Sequence, residues 1–169
     1  MQKVRLYNST LLRALVVILC IAWAGFIFSM SAEVSNDSAQ RSDGITEVVV
    51  SLLFRDFEDM TEAEQTELML TVEHIVRKIA HFGIFAVLGV LVSIASYGFF
   101  AYRRTHFLRT FIIGVLYAAS DEIHQYFVPG RGPKVTDVMI DGAGVFCGAI
   151  FVLLIVTVYL KRKEKHNGT

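Results

Sequence analysis

The sequence predicts an all-α, polytopic membrane protein with four transmembrane helices and a short extracytoplasmic helical segment. Of its 169 residues, 54% are hydrophobic, and the mean hydropathy is +0.52. These residues are concentrated in long runs, and a transmembrane helix needs about 20 mostly apolar residues. Four runs are long enough, at about 11–30, 79–100, 107–127 and 138–160. Basic clusters beside the runs predict one orientation for all four.

Composition excludes several other classes of protein. The 16 basic and 16 acidic residues give a net charge of zero, so there is no excess positive charge for binding nucleic acid. Two cysteines are too few for a disulfide scaffold or a cysteine-rich zinc site. The length fits one domain. Its predicted parts are 1–30 (cytoplasmic N-terminus and first span), 31–77 (extracytoplasmic loop and helix), 78–160 (three-helix core) and 161–169 (cytoplasmic tail).

The distribution of charge predicts the topology. Ten of the 16 basic residues lie on one side of the runs, namely Lys3, Arg5, Arg13, Arg103, Arg104, Arg109, Lys161, Arg162, Lys163 and Lys165. By the positive-inside rule this side is cytoplasmic. The other side carries 15 of the 16 acidic residues. We therefore expect a multi-pass protein of the cell membrane with both termini in the cytoplasm.

The first span has two rival interpretations. Lys3 and Arg5, the apolar run, and the small residues from Ser29 to Ala32 loosely resemble a cleaved signal peptide. The run is long for such a peptide, and four spans give a consistent topology, so we favour an uncleaved span. A lipoprotein anchor at Cys20 is less favoured still, because the residues directly before it are large.

The long loop at about 31–77 contains two predicted helical segments. A polar linker at 35–44 precedes a stretch at 45–57 that fits a short surface helix anchored by Val48, Leu52 and Phe57. After it, Thr61 and Glu64 form a capping-box pattern, which predicts the start of a helix. Apolar residues at helical spacing continue from there, so we expect this helix to run into the second span, straight or bent. The simplest interpretation is that loop and helix cap the bundle.

Ionisable side chains within the spans are costly and usually face the bundle interior. Lys78 and His81 share a face of the second span, because they are three residues apart. Asp121, Glu122, His124 and Gln125 lie at the end of the third span, and Asp137 and Asp141 share a face at the start of the fourth. All of them lie within about two turns of the extracytoplasmic end. Three helices thus present polar groups at one depth.

The turn between the third and fourth spans contains two prolines and two glycines, which predict a tight, irregular conformation. Such a turn can bring Arg131 and Lys134 over the polar groups. The candidate site residues are then Lys78, His81, Asp121, Glu122, Gln125, Arg131, Asp137 and Asp141. A purely structural role is the alternative, in which ion pairs such as Lys78 with Asp121 tie the helices together. The two histidines, the glutamine and the many acids favour a functional site.

The remaining histidines and glycines are given simpler interpretations. His124 fits a position facing lipid headgroups, and His74, His106 and His166 are interpreted as surface residues, because their neighbours suggest no site. Gly142, Gly144 and Gly148 predict close packing of the fourth span against a neighbouring helix rather than a catalytic role.

The blocks that contain these residues resemble the VanZ-like membrane family. The resemblance rests on Arg77 to Phe82, Asp121 to Gln125, Phe127 to Arg131, and the segment from Asp137 to Gly144, within about residues 74–155. It departs from the family's pattern at Ile84 and Phe85, where a Glu and a Tyr are frequent, and at Asp141, where Asn is common. The family implies a polytopic membrane protein, linked in some members to resistance to glycopeptide antibiotics such as teicoplanin.

Three functions fit this resemblance. The first is an enzyme or enzyme-like protein that acts on a lipid-linked phosphate or envelope precursor in the outer leaflet. Lys78 and Arg131 would neutralise phosphate, His81 would act as general acid or base, Asp121 would orient His81, and Asp137 and Asp141 would hold a water or a divalent cation. The second is a non-catalytic immunity protein that binds the drug or the lipid. The third is a small oligomeric transporter. No particular cofactor or metal follows from the spacing of the carboxylates.

Overall fold

The structure is a computed structural model that describes residues 9–32, 35–99, 103–129 and 132–167. The described residues form five α-helices and one short 3₁₀ turn and contain no strand, which confirms the all-α prediction. The helices are α1 (Thr10–Ser31), α2 (Ser35–Leu53), α3 (Glu62–Phe99), α4 (Arg103–Gln125) and α5 (Val135–Asn167), with the 3₁₀ turn at Phe57–Asp59.

Three of these helices are long and apolar enough to cross a membrane, in the part of the chain that the structure describes. They are Thr10–Ser31, Glu62–Phe99 and the segment Val135–Lys163 of α5. Their outer surfaces are apolar: Ile21 on α1 is 67% exposed and Leu154 on α5 is 59% exposed. Because a soluble protein rarely exposes so much apolar surface, these helices are those of a membrane protein.

The fourth expected span, at about 107–127, is the helix α4, which does not meet the same test of composition. Its polar residues are turned inward, with Thr110 and Asp121 at 0% and 2% exposure, whereas Ile113 and Leu116 face outward at 51% and 65%. Because its polar side chains face the bundle and its apolar side chains face outward, the helix has a low average hydropathy although its outer surface is apolar. Its 23 residues extend about 34 Å, enough to cross the hydrocarbon core.

The helices form a bundle in which α1 and α4 run opposite to α3 and α5. On α1, Trp23 donates its indole N–H to Ile84 O of α3 at 2.9 Å, and Arg13 lies 5.9 Å from the ring centroid of Phe99, so residue numbers rise on one helix as they fall on the other. We call the end where α1 and α4 finish and α5 begins the site end. The other is the opposite end, where α1 and α4 begin.

Close backbone contact between α3 and α5 fixes the relative position of these two helices. A Cβ atom at Gly144 would collide with the carbonyl oxygen of Phe82, and one at Gly148 with that of Ala86. The prediction of close packing is therefore confirmed for Gly144 and Gly148, whereas a Cβ at Gly142 would make only an ordinary contact of 3.5 Å with Val115. Next to this contact a buried core contains Ile27, Phe85, Leu88, Ala118 and Val145.

The loop region is more helical than the sequence predicts. The expected polar linker at 35–44 is helical from Ser35, as part of α2. This helix packs against α3 and buries Thr46 and Val50, at 1% and 2% exposure, whereas the expected anchors Val48 and Leu52 are 57% and 73% exposed. The surface helix exists, but Val48 and Leu52 point away from the bundle, and the third expected anchor, Phe57, lies beyond the helix end and is half-buried in the 3₁₀ turn.

The predicted capping box begins α3. The Thr61 backbone N–H donates to Glu64 Oε2 at 2.9 Å, and the Glu64 N–H donates to Thr61 Oγ1 at 3.4 Å. From Glu62 the helix continues without a break for 38 residues into the second span. It therefore carries Lys78 and His81 on the same rigid element as the bundle core.

Candidate functional site

Seven of the eight candidate site residues meet at the site end, contributed by three helices. Lys78 and His81 come from α3, Asp121, Glu122 and Gln125 from the last turn of α4, and Asp137 and Asp141 from the first two turns of α5. Arg131 lies outside the described residues. The four most buried members are Asp141, Asp121, Glu122 and Gln125, with 1%, 2%, 3% and 6% exposure.

An ion pair joins α3 to α5 at the edge of this group. Lys78 Nζ donates to Asp137 Oδ1, and the two side chains are 20% and 22% exposed. The sequence suggested Asp121 as a partner of Lys78 and Asp137 as a ligand for water or a cation. In the structure Lys78 pairs with Asp137 instead. Asp121 has other hydrogen-bond partners.

His81 lies one turn deeper, beside a different carboxylate. Its Nδ1 atom is 3.6 Å from Asp141 Oδ1. Asp141 is thus the carboxylate next to the imidazole, the position that the sequence analysis gave to Asp121. Both residues line a cavity of about 110 Å³, whose other lining residues are His74, Arg77, Lys78, Gln125, Gly132, Lys134, Asp137 and Ile140.

Asp121 is held in place by α1, a contact that the sequence did not reveal. Ser31 Oγ donates to Asp121 Oδ2 at 2.6 Å, and Gln125 Nε2 donates to the same oxygen at 2.9 Å. Ser31 is only 1% exposed. The first span contains no ionisable residue at this end, and a hydroxyl in its last turn gives no distinctive signal in the sequence.

Glu122 holds the turn that closes the cavity. Its Oε2 atom accepts a hydrogen bond of 2.8 Å from the backbone N–H of Lys134, directly before α5 begins. This contact draws the turn toward α4 and places Lys134 on the cavity wall. The expectation that the turn brings Lys134 to the polar groups is therefore met, and Glu122 acts here as a positioning residue.

Several buried carboxylate oxygens have no hydrogen-bond partner among the described residues. They include both oxygens of Asp141, Oδ1 of Asp121 and Oε1 of Glu122. One ligand atom each from His81, Asp121 and Asp141 lie within 4.8 Å of one another. Because buried charged groups are normally paired, these oxygens can accept a proton, a water or a cation.

The other histidines differ from one another in their surroundings. His106 is fully buried, at 0% exposure, so its interpretation as a surface residue is wrong. Its Nδ1 lies 3.1 Å from Ser96 Oγ, and its ring lies 4.0 Å from that of Tyr97, at the opposite end. His124 stacks on Phe28 with ring centroids 4.0 Å apart. His74 is exposed but lines the cavity.

The arrangement combines cations at the cavity wall with acids beneath it. Arg77, Lys78 and Lys134 line the cavity together with His74. A guanidinium and ammonium groups are suited to an anionic group such as phosphate. An imidazole beside a carboxylate can transfer a proton to or from that group. The cavity therefore fits the binding of a small anion and proton transfer on it.

Comparisons with known proteins identify a family. No curated protein and no solved structure matches this chain. The family model for VanZ/LLP1 matches residues 16–156, which is wider than the residues 74–155 on which the resemblance rested. It includes most of the first span and the loop, so Ser31 and Asp121 both lie within the matched residues. This membrane protein therefore belongs to the VanZ/LLP1 family.

Proposed function

We propose that this protein binds a lipid-linked, anionic envelope molecule at the outer leaflet of the cell membrane and acts on it, in a role associated with resistance to glycopeptide antibiotics. The observation that carries this proposal is the cavity at the site end. It combines three cationic side chains with His81 and a buried carboxylate, at the end of an apolar bundle.

The cations favour a phosphate-bearing headgroup. Lys78 and Arg77 are partly neutralised by Asp137 and Glu73, and Lys134 contributes further positive charge to the same wall. Charged hydrogen bonds to an anion each contribute about 1.5–3 kcal/mol. Two or three such contacts suffice to select a phosphate over a neutral headgroup.

The surface beside the cavity favours a ligand that is anchored in the membrane. Ile79 follows Lys78 and is 64% exposed, while Met139, between Asp137 and Asp141, is 68% exposed. Tyr126 and Phe127, directly after the last turn of α4, are 65% and 74% exposed, and aromatic residues of this kind are enriched at membrane interfaces. A lipid tail can lie along this apolar surface while its headgroup enters the cavity.

The outer leaflet is favoured by the distribution of charge. The basic residues Arg13 and Lys161 lie at the opposite end of the bundle from the cavity, beside the start of α1 and the end of the apolar part of α5. The positive-inside rule assigns that end to the cytoplasm. Both termini would then be cytoplasmic, and the cavity would open toward the side on which glycopeptides meet lipid-linked wall precursors.

Lipid binding is tested with the purified full chain in nanodiscs. Isothermal titration with a short-chain polyprenyl phosphate is compared with the corresponding prenyl alcohol, which lacks the phosphate. We expect the phosphate to bind and the alcohol not to bind. Lys134→Gln should weaken binding about tenfold or more, since one charged contact is lost, whereas Lys161→Gln at the opposite end should leave it unchanged. Equal binding of phosphate and alcohol would contradict the proposal.

Catalysis is distinguished from simple binding by a conservative substitution. The alternative is an immunity protein whose cavity holds the lipid or the drug without breaking a bond. If the protein is an enzyme, Asp121→Glu should abolish turnover of the bound lipid, because catalytic groups tolerate little displacement. If drug resistance in a susceptible bacterial host survives this change, and purified protein binds teicoplanin or the lipid without forming a product, the binding role is correct.

A further inference from the structure

Two buried carboxylates and one imidazole lie close together at the site end, and two of the three residues, His81 and Asp141, also line the cavity. Asp141 is 1% exposed and neither of its oxygens has a hydrogen-bond partner among the described residues. Asp121, 2% exposed, has one oxygen held by Ser31 and Gln125 and the other, Oδ1, without a partner. One carboxylate oxygen of each of these residues and one ring nitrogen of His81 lie within 4.8 Å of one another.

Two ionised carboxylates buried this close together need a positive charge between them, because each is removed from water and repels the other. Two of the three cations that line the cavity have carboxylate partners, and the third, Lys134, is an exposed residue of its wall. Lys78 pairs with Asp137, and Arg77 lies 3.5 Å from Glu73 on its own helix. His81 lies beside Asp141, with its Nδ1 atom 3.6 Å from Asp141 Oδ1.

We infer that His81, Asp121 and Asp141 bind one divalent cation of the zinc or manganese type. One imidazole nitrogen and two carboxylate oxygens form a donor set that such ions accept, whereas calcium prefers a shell of oxygens alone. Ligand atoms at about 2.0–2.2 Å from a tetrahedral metal lie roughly 3.3–3.6 Å from one another. The three ligand atoms here lie within 4.8 Å of one another, so metal binding draws the side chains together by up to about 1.5 Å.

The surroundings are those of a metal site with an open coordination position. Ser31 and Gln125 hold one oxygen of Asp121 and so fix the orientation of its carboxylate, as second-layer hydrogen bonds commonly do. His81 and Asp141 line the cavity, so the remaining coordination positions face the space that a water or an anion would enter. Three protein ligands with an open side are typical of catalytic metal sites.

This inference goes beyond the proposed lipid function and is tested without any lipid. Untagged full-length protein in detergent is stripped with a chelator and dialysed, and Zn²⁺ or Mn²⁺ alone is then titrated by calorimetry, with Mn²⁺ binding checked by electron paramagnetic resonance. We expect one equivalent to bind and to raise the temperature of thermal unfolding. Asp141→Asn should weaken this binding by about tenfold or more.

Matched variants separate this site from other acids and histidines. Glu67→Gln removes an exposed carboxylate of α3 that does not line the cavity, and His106→Gln removes a buried histidine at the opposite end. Both should keep one equivalent of metal. If Asp141→Asn is not recovered as folded protein, His81→Gln is used in its place with the same expected loss. The inference is overturned if the wild type binds neither metal stoichiometrically, or if the ligand variants bind as tightly as the wild type.

Discussion

The two ends of the bundle each contain a histidine between helices, yet the two sites have different chemistry. At the opposite end His106 is completely buried against the hydroxyl of Ser96 and the ring of Tyr97. At the site end the side chain of His81 is 23% exposed, lies beside Asp141 and borders a cavity. A histidine in a membrane helix thus indicates function when acids and accessible space surround it, and packing when a ring and a hydroxyl do.

The difference between the two histidines is tested most directly by exchanging each of them for glutamine. His81→Gln should reduce function by about 10²-fold or more, because the imidazole beside Asp141 in the cavity is lost. His106→Gln should lower the temperature of thermal unfolding and leave function per folded molecule unchanged. Drug resistance in a susceptible bacterial host, normalised to the amount of protein in the membrane, is the measurement. Equal functional losses for both variants would show that the two ends do not differ as described.

The α3–α5 contact that supports the site end can be tested through its glycines. Gly148→Leu should destabilise the protein by about 1–3 kcal/mol, because its Cβ would meet the backbone of Ala86. Gly83→Ala is the control: a Cβ there has nothing within 4 Å, and alanine is the better helix former. Unfolding of both variants in detergent is compared with that of the wild type. Identical stability for the two would argue against close α3–α5 packing.

The Lys78–Asp137 pair tests whether the site end is a tie between helices or a binding site. Lys78→Ala leaves a half-buried aspartate without its partner and should cost about 1–2 kcal/mol, between the values for exposed and buried pairs. The double variant Lys78→Met with Asp137→Leu should recover most of this stability. Binding of a polyprenyl phosphate, measured by titration, should remain weakened. Recovery of binding along with stability would favour a purely structural pair.

The smallest effect on stability is expected at the start of α3, which is remote from His81 and from His106. Thr61→Ala removes the hydroxyl of the capping box and should cost about 1 kcal/mol. Amide hydrogen exchange should become faster in the first turns of α3 and remain unchanged at Lys78 and beyond. Thr66→Ala, which removes only a hydroxyl bonded within the helix to Glu62 O, is the control. Faster exchange throughout α3 would mean that the cap supports the site as well.

Much of the site could be predicted because its signals are local. Lys78 with His81, and Asp137 with Asp141, share helix faces through spacings of three and four residues, and their positions near span ends place them at one depth. Which of these side chains pair with one another could not be predicted in the same way. The pairings depend on the axial position of α3 relative to α5, and they join Lys78 to Asp137 and His81 to Asp141. Close backbone contacts at Gly144 and Gly148 set that position.

The sequence by itself determined that this protein is helical, where its long apolar helices lie, where α3 starts, and which turns carry polar groups, because hydrophobic runs, caps and helical spacing are properties of neighbouring residues. Only the tertiary structure decided that α1 supplies Ser31 to Asp121, that His106 is buried, and that two carboxylates and an imidazole converge. These depend on which faces of separate helices meet, and that is fixed by packing between residues far apart in the chain.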